Sequence, residues 1–345
     1  MCGIAGIFNN SSPQSAPMEL EEKKMLSVIR HRGPDESGLY LGTNIGLGSV
    51  RLSIIDVASG QQPMSDESGN YWIVYNGEIF NYKELRKDIE AKGIRLRTHS
   101  DTEVVVQMYA LYGSKCLKYF NGQFAFCIWN KKKRELFLAR DRVGIRPLFY
   151  WSKNKSFAFC SEIKGLFTLA EINRAINPMN LAQIFTFWTT ISPNTPFENI
   201  YELPPGHYML VSDSNIHIEK YWSLNFASHG NTYSGSLPDA VEEFTGLLKD
   251  AVKIRLRADV PVGAYLSGGL DSSVTTSLIH EIEPGILNTF SIGFKDKVFD
   301  ETAYQMEASK YFNTNHIAFE CTSTEIAEQF INTVWHAEFP TIRTA

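Results

Sequence analysis

Cys2 stands directly behind the initiator Met1 and is followed by Gly3. Removal of Met1, which a small second residue favours, leaves Cys2 with a free α-amine. An α-amine has an unperturbed pKa of about 7.7–8.0, so it can take a thiol proton at working pH. Nucleophile and base then share one residue, and anything left in front of Cys2 acylates the base away. Taken alone, Cys2 reads more readily as a small core residue of an apolar strand, because free cysteine is among the most buried residue types. A second chemical segment is Ser267-Gly268-Gly269-Leu270-Asp271-Ser272-Ser273. Its two glycines let backbone N–H groups face an anion, and a helix N-terminus adds a favourable dipole. Ser267, Ser272 and Ser273 supply hydroxyl donors. It lacks the lysine of a Walker loop, which points away from γ-phosphate hydrolysis. Asp271 suits Mg²⁺, which binds few carboxylates and takes phosphate oxygens for the rest.

These residues need elements to hold them. From Met1 to about Val211 the chain reads as many short β-runs: Cys2 to Phe8, Asn44 to Val57, Tyr71 to Tyr75, Gln123 to Trp129, Glu135 to Ala139 and Pro147 to Trp151. Helical patterns cover Glu19 to Ile29, Tyr82 to Lys92 and Asp101 to Tyr112. The last starts with Ser100 and Glu103 at capping-box spacing. Mixed elements in this order predict an α+β layered domain. Residues 212–237 turn polar and are expected to be a linker. From Ala240 onward, helices and strands alternate strictly. The expected strands are Val260 to Leu266, Thr289 to Phe294 and His316 to Glu320; the helices between and after them end with Glu325 to Trp335, behind a Thr322–Glu325 capping box. Such alternation predicts an α/β unit with a parallel sheet. Three strands are few for that architecture, so the second domain, 238–345, is expected to be truncated and the chain a piece of a longer polypeptide.

Five segments are charged or turn-forming amid apolar text: His31-Arg32-Gly33-Pro34-Asp35, Arg51 to Asp56, Asn76-Gly77-Glu78, Ser100 to Glu103, and Arg140-Asp141-Arg142 with Gly144, Pro147 and Leu148. Of these, the His31–Asp35 loop, Asn76-Gly77-Glu78 and Ser100-Asp101, together with Met1-Cys2-Gly3-Ile4-Ala5-Gly6 and the Ser267 loop, resemble the glutamine-hydrolysing asparagine synthetases, a family of N-terminal-nucleophile glutamine amidotransferases. The resemblance covers essentially the whole chain, with its motifs in the family's order. It implies an αββα glutaminase over residues 2–211 and an adenine-nucleotide α-hydrolase-like domain after the linker.

The resemblance also assigns roles. Cys2 attacks the glutamine side-chain amide, and Asn76 with the Gly77 N–H holds the tetrahedral oxyanion, where losing one donor typically costs about 10²–10³ in rate. Arg51 takes the α-carboxylate. Asp101, Glu78 and main-chain groups of Leu52, Ser53, Ile54 and Ile55 complete the glutamine site. For ATP the matching positions are Leu266, Ser267, Gly268, Gly269, Asp271, Ser272 and Ile292. The second phosphate loop of the family does not occur in this sequence; Thr341, Ile342 and Arg343 resemble the segment before it. As ordinary readings, Asn-Gly is a common hairpin turn, Arg51 fits a strand edge, and Asp101 fits a helix start. Cys116, Cys127 and Cys160 are expected in the core.

The implied reaction joins glutamine, aspartate and ATP, with Mg²⁺, to give asparagine, glutamate, AMP and pyrophosphate. Alternatives are another carboxylate acceptor on a sugar or peptide, or a glutaminase-only fragment. β-Lactam synthetases generally lack the terminal cysteine. Phosphoribosyl-pyrophosphate amidotransferases and glucosamine-phosphate synthases lack the Ser267 loop. A homodimer is a further expectation.

Composition sets outer bounds. A length of 345 residues suggests two domains. With 43% hydrophobic and 21% charged residues the chain is of globular type. A net charge of −5 argues against a nucleic-acid partner, and no apolar run nears the ~18 residues of a membrane span. Met1 to Phe8 lacks the basic start of a signal peptide. Five scattered cysteines give neither a disulfide framework nor zinc spacing, which fits a reducing cytoplasm.

Overall fold

The computed structural model describes residues 2–9, 15–213, 215–226, 233–295 and 300–340, with residues 15–17 described by backbone alone. The chain divides into two compact units, Met1–Asn225 with Glu338–Ala345, and Phe226–Ala337.

In the first unit the strands are β1 (Gly3–Asn9), β2 (Glu36–Leu41), β3 (Ile45–Arg51), β4 (Met64–Ser65), β5 (Tyr71–Ile79), β6 (Gly122–Asn130), β7 (Glu135–Arg140), β8 (Phe149–Lys153), β9 (Ser156–Cys160), β10 (Ile200–Glu202), β11 (His207–Val211) and β12 (Ile216–Lys220). The helices are α1 (Ser15–Val28), α2 (Tyr82–Glu90), α3 (Asp101–Tyr112), α4 (Ile163–Leu166) and α5 (Pro178–Phe187). One sheet has the order β10-β8-β9-β1-β3-β2 and the other β12-β11-β7-β6-β5-β4.

The layering follows from period-two burial. Along β6, Phe124, Phe126 and Ile128 face a core shared with Leu85, Ile89, Val104, Val105 and Met108 of α2 and α3. Ala125, Cys127 and Trp129 face the opposite way, into a core shared with Ile4, Phe8, Ile45 and Leu47 of the first sheet. Ala5 and Ile7 of β1 turn instead toward Met25 and Leu26 of α1 and Ile163 and Leu166 of α4. Helix, sheet, sheet, helix is the αββα order. Strands buried on both faces read as continuous apolar runs, which is why their sequence signal was strong. Cys116, Cys127 and Cys160 are all buried.

Several expected local details differ. β3 ends at Arg51, so residues 52–57 form a loop rather than a continuing strand. β5 runs through Asn76 and Gly77 to Ile79, where the expected strand stopped at Tyr75 and the dipeptide fitted a turn. A Cβ on Gly77 would sit 2.4 Å from the Gln123 carbonyl oxygen, so the glycine serves close strand approach. α3 begins where expected, and the Ser100 hydroxyl caps the Thr102 N–H. No capping box forms there, because the Glu103 carboxylate accepts the Arg97 and Thr98 N–H groups instead. The expected linker 212–237 contains β12, which pairs antiparallel with β11. Every residue of β12 is exposed, so its polarity marks a sheet edge.

The second unit comprises α6 (Leu237–Arg255), β13 (Gly263–Tyr265), α7 (Leu270–Ile282), β14 (Asn288–Phe294), α8 (Thr302–Phe312), β15 (Asn315–Cys321) and α9 (Ser323–Ala337). The strands pair in parallel in the order β13-β14-β15. The Thr322–Glu325 capping box is formed in both directions. The described core here is small, centred on Val252, Ala264, Leu278 and Ile279. Thr341, Ile342 and Arg343 lie outside the described residues.

Candidate active sites

One cavity of the first unit gathers Cys2, Arg51, Leu52, Ile54, Ile55, Asn76, Gly77, Glu78 and Asp101. These residues span a hundred positions and four elements or their flanks. Ser53 is not among the cavity walls; its N–H donates to Asp35 Oδ2 at 2.8 Å and so ties the 52–56 loop to the His31–Asp35 turn. Five further residues line the cavity: Gln62, Tyr75, Ser100, Thr102 and Arg146.

Cys2 is half-buried, with its Sγ 3.7 Å from the Leu52 carbonyl oxygen. Burial pushes its thiol up; the charge of Arg51 opposes that push and the charge of Asp101 adds to it. The residue is fixed from behind. Arg32 Nε donates to the Cys2 carbonyl at 3.0 Å, and Arg32 Nη1 donates to Glu162 Oε1 at 2.8 Å. Lys164 pairs with the other Glu162 oxygen, and His31 Nε2 lies 3.0 Å from Oε1.

Asn76 has no exposed surface. Neither its Nδ2 nor its Oδ1 has a hydrogen-bond partner in the structure. Buried amides are nearly always paired, so such a group calls for an explanation. Position 76 of β5 pairs with Ala125 of β6, which fixes the backbone and leaves the side chain facing the cavity.

Arg51 is buried at the end of β3 and held rigidly. Its Nη1 pairs with Glu36 at 3.1 Å, and its Nη2 donates to the carbonyls of Ile55 at 2.9 Å and Asp56 at 2.8 Å. The loop after Arg51 therefore wraps the guanidinium, and both Nη2 hydrogens are engaged. A bound carboxylate would meet Nε–H or the second Nη1 hydrogen rather than an empty fork. The Ile55 carbonyl, one of the main-chain groups expected in the glutamine site, accepts from Arg51.

Asp101 is buried at the start of α3. Its Oδ2 accepts from Tyr75 Oη at 2.8 Å and from the Ile79 N–H at 3.1 Å. Burial dominates and lifts its carboxyl to about 6, with Glu78 adding to the rise. Gln62 Oε1 accepts the Tyr75 N–H at 2.7 Å, which steadies the wall from the other side.

In the second unit, Leu266 follows β13 and its N–H donates to the Phe290 carbonyl at 2.8 Å. Ile292 sits exposed in the carboxyl half of β14. Ligands of parallel sheets gather at that end. Gly268 adopts φ +83°, a conformation that favours glycine. Ser267 Oγ and Ser272 Oγ lie 3.0 Å apart across the turn, and Gly269 N–H donates to Ser267 Oγ at 3.3 Å. Asp271 is exposed in the first turn of α7. His316 of β15 is held between Thr289 Oγ1 and Ser291 Oγ, a structural role.

Residues 1–222 match the family model of the glutamine amidotransferase domain, and residues 243–345 that of asparagine synthase. The chain is 38% identical over 342 residues to Asparagine synthetase [glutamine-hydrolyzing] 1 of Bacillus subtilis, covering 99% of this chain and 53% of the relative. It is 39% identical over 338 residues to the putative asparagine synthetase [glutamine-hydrolyzing] 2 of Methanocaldococcus jannaschii, covering 92% and 64%. A solved structure of the allosteric regulatory enzyme of purine biosynthesis aligns over 95% of this chain and 70% of its own, at 16% identity and a TM-score of 0.49. The chain thus spans about half to two thirds of the length of these two curated relatives.

Proposed function

The chain belongs to the glutamine amidotransferase family, and on that footing we propose that it hydrolyses glutamine at Cys2 to supply ammonia for an ATP-dependent amidation of aspartate. The observation that carries the reading is the buried, unpartnered Asn76 amide in the cavity that also holds Cys2.

Once Met1 is removed, the Cys2 amine takes the thiol proton, and the thiolate attacks the side-chain amide carbon of glutamine. The carbonyl oxygen becomes an anion facing Asn76 Nδ2 and the Gly77 N–H. Collapse breaks the C–N bond, the amine returns its proton to the leaving nitrogen, and ammonia departs from a γ-glutamyl thioester. Water then releases glutamate and restores the thiol. Arg51 and the Asp101–Glu78 side of the cavity hold the two charged groups of the substrate's α-carbon.

For the second reaction, the Ser267–Ser273 loop would cradle ATP phosphates, with Leu266 and Ile292 against the nucleoside. Attack of the aspartate β-carboxylate on the α-phosphate gives β-aspartyl-AMP and pyrophosphate, and ammonia then displaces AMP to form asparagine. Asp271 fits Mg²⁺, since one exposed carboxylate beside a phosphate loop suits an ion that takes its other ligands from phosphate and water. When bound, the ion would screen phosphate charge. Five free cysteines, three of them buried, agree with a reducing compartment such as the cytoplasm.

The test is glutamate release by the chain with Met1 removed. Cys2→Ala should abolish it, and an electrophilic glutamine analogue should label Cys2 and no other cysteine. Full activity in material that retains Met1 would overturn the mechanism. AMP, pyrophosphate and asparagine measured in the same reaction test the second half of the proposal.

A further inference from the structure

Three arginines of the first unit are buried and a fourth, Arg32, is nearly so; three of the four have a carboxylate in ion-pair contact. Arg32 faces Glu162 at 2.8 Å, Arg51 faces Glu36 at 3.1 Å and Arg140 faces Glu202 at 2.8 Å. Arg146 is 7% exposed and makes no ion pair among the described residues. Its Nε is buried with no hydrogen-bond partner. A buried charge is costly unless something compensates it. Arginine does not escape by losing its proton.

The segment before Arg146 is built to hold it there. The buried Asp141 carboxylate accepts N–H groups from Val143 at 3.2 Å, Ile145 at 3.0 Å, Arg146 at 2.9 Å and Phe124 at 3.1 Å. Arg140 Nε donates to the Arg146 carbonyl at 2.8 Å. The turn is therefore pinned to β6 and β7, and its side chain lines the Cys2 cavity. Burial lowers the guanidinium pKa, and the negative forms of Glu78, Tyr75 and Cys2 oppose that.

We propose that Arg146 stabilises the negative charge that develops during glutamine hydrolysis, first on the Cys2 sulfur and then on the substrate oxygen. The inference rests on the glutaminase reading above and deepens it. Glu78 opposes part of the burial of Arg146, but no carboxylate among the described residues makes an ion pair with it and its Nε is left open, so an anion formed in the course of the reaction can supply the missing partner. This is how a charge-stabilising group adds rate: its interaction is stronger in the transition state than in the ground state. Other charged and titratable groups face Cys2. They are Arg51 at the end of β3, Tyr75 and Glu78 of β5, Asp101 of α3, and Arg32 at the Cys2 carbonyl. Arg51 acts in the same direction as Arg146, but Glu36 offsets its charge.

The experiment alkylates the Met1-processed chain with iodoacetamide across pH 5–10 and reads modification at Cys2 by peptide mass spectrometry. Arg146→Met should move the midpoint upward by about half a pH unit or more, and Arg146→Lys should restore most of it. Glutaminase kcat should fall about 10-fold to 100-fold in Arg146→Met, with KM for glutamine within about twofold. An unchanged alkylation profile in a folded Arg146→Met variant would overturn the proposal. So would a raised KM with unchanged kcat, which marks ground-state binding instead. If Arg146→Met does not fold, Arg146→Gln is read by the same two criteria. Alkylation needs no turnover, so a parent chain inactive on glutamine sinks the glutaminase reading while the test of Arg146 against Cys2 still stands.

Discussion

Replacing Asn76 with alanine should separate activity from stability. The side chain is fully buried, and both of its polar atoms lack partners. Each such atom costs about 1–3 kcal/mol of desolvation in the folded state. Alanine removes both penalties and leaves a small cavity, whose cost for a few missing atoms is about 0.5–1 kcal/mol. The backbone is untouched, since β5 pairs with β6 through position 76 whatever its side chain. Stability in Asn76→Ala should therefore stay within about 1 kcal/mol of the parent, or rise. The transition state should lose one oxyanion donor, about 3–4 kcal/mol, and kcat should fall about 10²- to 10³-fold. Glutamate release gives kcat, and urea unfolding gives stability. Alkylation of Cys2 with an unchanged pH profile shows that the nucleophile is intact. A loss of stability beyond about 3 kcal/mol would mean that Asn76 holds the fold together and the missing partners are not meaningful. Unchanged kcat would remove it from the oxyanion site altogether.

Two further predictions address other parts of the chain. Glu22 of α1 is fully buried, neither carboxyl oxygen has a hydrogen-bond partner, and burial lifts its carboxyl to about 8, with the Ile7 amide only partly opposing the rise. The folded state then binds a proton that the unfolded chain releases, so stability should fall as pH climbs from about 4.5 to 8, by about 1.4 kcal/mol per pH unit. Glu22→Gln should flatten that slope in urea titrations run at several pH values, and an unaltered slope would show that another group titrates. Asp271→Asn should leave glutamate release intact and weaken magnesium-dependent ATP binding at least about tenfold, measured by calorimetry on the parent and variant chains; unchanged ATP affinity would refute its role.

The sequence carried the layers well because both-face burial writes itself as unbroken apolar text, as in β1 and β6. Helix α3 was legible at both ends, from Ser100 to Tyr112. The capping box was not, because Glu103 found the Arg97–Thr98 loop, a partner set by tertiary contact. β12 was hidden because an edge strand without a buried face has the composition of a linker. Residues 52–56 read as strand because Leu52, Ile54 and Ile55 are β-formers, yet their main chain is bent around Arg51. The cavity residues Gln62 and Arg146 carried no signal in their types. An arginine between Ile145 and Pro147 looks like any exposed turn residue, and only the four N–H groups gathered by Asp141 show that the turn is fixed.

What distinguishes the cavity from its scaffold is the state of its polar groups. Around Cys2 the supporting charges are compensated: Arg32 and Lys164 by Glu162, Arg51 by Glu36, Arg140 by Glu202, and Asp141 by backbone N–H donors. Asn76 and Arg146 lack such partners, and both line the same wall as the nucleophile. Glu22 shows that missing partners alone do not make a site. It too is buried and unpaired, but it lies away from the cavity, and a carboxyl can shed its cost by keeping a proton. An amide and a guanidinium have no such escape. Unpartnered guanidinium or amide nitrogens also occur at Arg32, Arg86 and Gln107, so it is the missing partners of Asn76 and Arg146 together with their place in the wall of the Cys2 cavity that make these two positions bear on the chemistry there.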